Sequence, residues 1–82
     1  MAGLSFSEEY AEMLVRLRAA RKAAGLTQEV VARAFGRTQS FVSKIESGEI
    51  RLDPIELQRL ALLYGVEMTA LLPPIAGEKH HA

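Results

Sequence analysis

The sequence predicts an all-α fold, a compact bundle of five short helices over about 6–24, 28–35, 38–47, 54–64 and 68–72. Three observations lead there. Apolar residues recur at spacings of three and four rather than two. Ala and Leu outnumber the β-branched residues, and strand-like runs are short. Most apolar segments open on a Ser, Thr or Asp and close on a Gly, the punctuation of capped helices.

The first helix starts near Ser5–Ser7, where Ser5 and Glu8 have capping-box spacing. Leu14, Leu17, Arg21 and Ala24 fall on one stripe, Arg21 and Lys22 suit the negative end of the helix dipole, and Gly25 stops the run. Thr27 caps the second helix, Glu29 lies in its first turn, and Val31, Ala32 and Phe35 form its inner face. Gly36 permits a sharp turn into the third helix, which Thr38 caps. Val42 and Ile45 point inward there, and Gly48 ends it. Phe41 has three open placements: the core, a thymine methyl, or the seam with the next helix. The fourth helix carries Asp53, Pro54 and Glu56 in the N-cap, N1 and N3 places, with Leu57, Leu60 and Tyr64 on its core stripe and Gly65 as its stop. A one- to two-turn fifth helix runs into Pro73–Pro74, which cannot continue it. Helices two and three, short and joined by a glycine turn, make a helix-turn-helix pair.

Length bounds the organisation. The 82 residues suffice for one domain, read as 1–76, with a flexible tail at 77–82. The absence of cysteine excludes a disulfide scaffold and any cysteine-based site. No apolar run approaches the roughly 18–20 residues that span a bilayer. The first ten residues lack the pattern of a signal peptide, so the expectation is a cytoplasmic protein without membrane attachment. There is no Ser/His/Asp constellation, no phosphate-cradling glycine loop and no carboxylate pair suited to a cleft. The expectation is therefore a protein that is not an enzyme, with no catalytic residues and no cofactor. His80 and His81 lie in the tail without further ligands, so no metal is expected.

The formal net charge is zero, but its distribution is uneven. Residues 13–45 carry seven bases (Arg16, Arg18, Arg21, Lys22, Arg33, Arg37 and Lys44) against Glu29 alone, a local +6. A polyanion responds to that local field rather than to the total.

The string Gly25-Leu26-Thr27-Gln28-Glu29-Val30-Val31-Ala32, continued by Phe35-Gly36-Arg37-Thr38-Gln39-Ser40-Phe41-Val42-Ser43-Lys44-Ile45-Glu46-Ser47-Gly48, resembles the Cro/phage-repressor (Xre-type) family of helix-turn-helix proteins. The resemblance extends over about residues 14–72. It implies a five-helix bundle with the third helix as recognition helix. It also implies repression or activation at a short operator with two-fold symmetry.

The major groove admits one α-helix, which reads bases through short polar side chains near its N-terminus. With Val42 and Ile45 inward, Gln39, Ser40, Ser43 and Lys44 face out and become the expected base readers. A glutamine amide can pair with the N6/N7 edge of adenine. The family's position equivalent to Gln28 touches the phosphate backbone and braces the recognition helix. Arg37, Thr38 and Arg51 flank the same face and are expected on phosphates, which position the protein without reading sequence. The resemblance further implies an ion pair, partly buried, between Arg21 and Glu46.

One module covers few base pairs, so double-stranded DNA is expected to be bound by a homodimer. Leu62, Met68, Leu71, Leu72 and Ile75 supply surplus apolar surface for that interface, although Leu71 and Leu72 would alternatively close the core. Two other readings stay open. One is an antitoxin or controller-type regulator with a toxin or other protein partner. The other is a helical protein–protein adaptor without DNA binding, which the zero net charge favours.

Overall fold

Side-chain caps set three of the helix starts in the computed structural model, which describes residues 6–74. Thr27 accepts from the Val30 amide, Thr38 from the Phe41 amide, and Asp53 and Glu56 complete a reciprocal capping box. The elements are α1 (Phe6–Ala23), α2 (Gln28–Phe35), α3 (Gln39–Ser47), α4 (Pro54–Tyr64) and α5 (Met68–Leu71). Among the described residues there is no strand. Nor, among those residues, is any helix long and apolar enough to cross a membrane. The Ser5 cap, Ile75, the two histidines and the segment 77–82 lie outside the described residues.

The boundaries differ from expectation by one residue, for local reasons. Thr38 has extended backbone (φ −83, ψ 159), so it caps α3 and does not belong to it. Leu72 is also extended (φ −101, ψ 129), as a residue before proline prefers.

The core forms where the stripes of α1, α2, α3, α4 and α5 meet. Leu17, Val31 and Leu71 are its most deeply buried side chains, joined by Leu14, Val42, Ile45, Leu57, Leu60 and Tyr64. Leu71, expected at a dimer interface, is only 1% exposed. This corrects the expectation: α5 is four residues long and turns Leu71 inward against α1 and α4, closing the bundle. Met68 is half-buried against the same cluster. Arg16, already paired with Glu12, donates from Nη1 to the carbonyls of Ala70 and Leu72 at 3.4 and 3.1 Å. It thereby satisfies carbonyls that a helix end leaves without partners.

Candidate nucleic-acid interface

The turn between α2 and α3 rests on Gly36, whose φ of +67 is costly for any residue with a Cβ. Its amide bonds back to Arg33 at 3.1 Å, and the Arg37 amide reaches the Ala32 carbonyl at 2.9 Å. α2 stops cleanly in this way, and α3 leaves at a fixed angle.

α3 is two-faced. Val42, Ile45 and Glu46 are buried, whereas Thr38, Gln39, Ser40, Ser43, Lys44 and Ser47 are exposed. Phe41 is half-buried and packs on the core, the first of its three placements. The side chains of Ser40, Ser43 and Lys44 make no hydrogen bond or ion pair among the described residues. The four positions nominated for base contact therefore lie together on one outward side.

What holds that side outward is the buried charge beneath it. Arg21 Nε meets Glu46 Oε2 at 2.6 Å and Nη2 meets Oε1 at 3.1 Å, a two-point contact between α1 and α3. Arg21 Nη1 also reaches the Leu26 carbonyl at 3.0 Å. The Arg18 Nε lies 3.6 Å from Glu46 Oε1, and its Nη2 donates to the Glu46 carbonyl at 3.2 Å. Burial by itself would raise the Glu46 carboxyl. Hydrogen bonds from Arg21 and Gln28 and the charges of Arg21 and Arg18 outweigh that, leaving it below its ordinary value and ionised. Arg21 is raised in turn, chiefly by its hydrogen bonds to Glu46. Burial, with Glu46 nearby, pushes the Tyr64 hydroxyl up to about 12.

Gln28 links this core to the surface. Its Nε2 donates to Glu46 Oε1 at 2.9 Å, and its Oε1 accepts from Gln39 Nε2 at 3.4 Å. The brace implied for Gln28 is thus a contact between the first residues of α2 and α3. The two arginines expected on phosphates lie over aromatic rings. Arg37 stacks 3.7 Å from the Phe41 centroid, and Arg51 4.1 Å from that of Tyr10. Stacking holds each guanidinium by its face and orders it.

Sequence reasoning missed two contributors. The charge count takes Arg18 only as part of a basic field. Tyr10, whose hydroxyl accepts from the Leu52 amide at 2.9 Å, gave no local signal because 42 positions separate the two.

Exposed large apolar side chains lie on α4, with Val15 on α1 and Val30 on α2 also exposed. Leu62 is 82% exposed and Ile55 60% exposed, with Leu72 exposed on the segment after α5. Leu62 stands between two open grooves of about 550 and 520 Å³ that share Arg59.

A family model described as a helix-turn-helix domain matches residues 12–73. A solved structure of an XRE-family like protein from Pseudomonas syringae pv. tomato str. DC3000 is 45% identical, superposes with a TM-score of 0.74, and is matched over 79% of each chain. Nothing matches among the curated proteins. The matched span covers the caps, the glycine turn and the two-faced third helix described above, and the chain belongs to the helix-turn-helix domain family of Xre type.

Proposed function

We propose that this DNA-binding regulator works as a repressor, inserting α3 into the major groove of an operator with two-fold symmetry as a homodimer. One observation carries the reading. The exposed side of α3 bears only small or flexible polar side chains, while its other side is clamped to α1 through Glu46. A helix presented in that way meets the geometric demand of major-groove readout.

In this reading Gln39, Ser40, Ser43 and Lys44 contact base edges. Gln28, Thr38, Arg37 and Arg51 contact phosphates. Stacking of the two arginines on Phe41 and Tyr10 favours that role, because a pre-ordered guanidinium loses less freedom on binding. Leu62 and Leu72, with the exposed side of Met68, support the homodimer, and half-sites would then lie about 34 Å apart. A cytoplasmic location follows from this role.

The test is selection of duplexes from a randomised pool by the full-length chain, followed by gel retardation and sedimentation. The expected result is a sequence in two inverted halves bound by two copies. With Arg37 and Arg51 as the charged phosphate contacts, affinity should fall with salt. Failure to retard any selected or random duplex at low salt would overturn the reading.

A further inference from the structure

Arg37 and Arg51 are mounted in different ways. Arg37 stands on Phe41, a residue of α3 itself, so the recognition helix supplies its platform. Arg51 lies in the loop between α3 and α4, and its platform is Tyr10 of α1, far back in the chain. A long side chain on an exposed loop gives up much freedom when it grips a phosphate, unless something already holds it.

Tyr10 holds Arg51 at two levels. Its hydroxyl accepts from the Leu52 amide at 2.9 Å, which fixes the backbone just after Arg51. Just before Arg51, the Ile50 amide donates to the Lys44 carbonyl at 3.2 Å. The loop is thus tied to α1 on one side of Arg51 and to α3 on the other. The centre of the Tyr10 ring lies 4.1 Å from the guanidinium carbon, inside the range where a ring face attracts a cation. Tyr10 is half-buried and packs against the core, so this ring is a fixed surface.

We infer that Tyr10 is a positioning residue for DNA binding, whose ring holds the Arg51 guanidinium ready for a phosphate while its hydroxyl anchors the loop. The two jobs are separable. The ring acts on affinity, because an ordered arginine loses less rotamer freedom in the complex. The hydroxyl acts on the fold, because a half-buried amide left without an acceptor is costly. By this route α1 belongs to the DNA-binding device through Tyr10 without that residue touching the duplex.

This role rests on Arg51 as a phosphate contact, and the experiment separates the two. The full-length chain is bound to its best selected duplex and to an unrelated duplex over a range of salt. Arg51→Ala, Tyr10→Leu, Tyr10→Phe and the Tyr10→Leu, Arg51→Ala double variant are measured in parallel. Arg51→Ala should weaken both duplexes roughly fivefold to tenfold and lower the salt slope by about one. No change in either would refute the phosphate contact and the role of Tyr10 together. Tyr10→Leu should weaken both duplexes roughly twofold to fivefold, as loss of an exposed cation–π contact implies. In the Arg51→Ala background the same change should weaken binding no further, since Tyr10 acts through the arginine. A role in the fold alone does not depend on Arg51, so an equal loss in both backgrounds overturns the inference and spares the phosphate contact. Tyr10→Phe keeps the ring, so its affinity should stay within about twofold of the unaltered chain, with the missing hydroxyl read as a lower urea midpoint. An affinity for Tyr10→Phe as low as for Tyr10→Leu also overturns the role of the ring. Tyr10→Met carries the test should Tyr10→Leu fail to fold by circular dichroism.

Discussion

Arg21 and Glu46, 25 positions apart, meet nitrogen to oxygen at 2.6 and 3.1 Å with both side chains buried. The pair ties the middle of the bundle to the helix that carries the polar face. Removing one partner leaves the other charge buried, which typically costs 3–5 kcal/mol, whereas replacing both by apolar groups can be nearly neutral. Here Gln28 and Arg18 would still hold Glu46, so Arg21→Met should cost about 3 kcal/mol, near the low end. Urea unfolding of Arg21→Met and of Arg21→Met with Glu46→Leu checks this. The double variant should recover much of the loss.

The same carboxylate makes stability depend on acid. Glu46 lies below its ordinary value of 4.5 in the fold, so its contribution is complete above that value. It is lost as pH falls through the lower folded value. At the other extreme, Tyr64 rises from 10.0 to about 12. Its contribution is complete below pH 10 and fades between 10 and 12, with a total of the order of 3 kcal/mol. Melting measured from pH 2 to 12 should fall at both ends. Glu46→Gln should flatten the acid limb and Tyr64→Phe the alkaline one.

Leu71 and Leu62 differ in burial more than any other pair of leucines among the described residues, at 1% and 82% exposed. Leu71→Ala removes core atoms with little room for collapse and should cost about 2–5 kcal/mol. Leu62→Ala should change the stability of a single copy by less than about 0.5 kcal/mol. If α4 carries the homodimer, Leu62→Glu should instead shift sedimentation toward one copy while the chain stays folded.

Much of the fold was legible because its determinants are local. The caps at Thr27, Thr38 and Asp53 and the stops at Gly25, Gly36, Gly48 and Gly65 act within a few residues, and the helices fall between them. The outward side of α3 followed from two inward residues, Val42 and Ile45. The direction of Leu71 was not legible. In a helix of one turn, which side faces the core depends on where α1 and α4 lie, and periodicity carries no such information. The Tyr10–Leu52 bond and the reach of Arg16 to the end of α5 also depend on packing between distant segments. The charge count marked Arg18 as part of a basic field but not as a neighbour of Glu46.

Two of the stop glycines should respond unequally to the same change. Gly36 and Gly48 both hold left-handed backbone, with φ of +67 and +85, so an added Cβ costs either one about 1–2 kcal/mol. Their surroundings differ. A Cβ at Gly36 would meet nothing within 4 Å, whereas at Gly48 it would lie 3.3 Å from Leu14 Cδ1. Leu14 is itself buried, so its methyl must move into packed neighbours to make room. Gly48→Ala should therefore be the more destabilising by roughly 1 kcal/mol. In a Leu14→Ala background, which itself loses core packing, Gly48→Ala should add only the backbone cost, since the obstructing methyl is gone. Urea midpoints of the Gly36→Ala, Gly48→Ala and Leu14→Ala variants and of the Gly48→Ala, Leu14→Ala double variant decide this. Equal losses at Gly36 and Gly48 would mean that the end of α3 yields more readily than its contact with α1 implies.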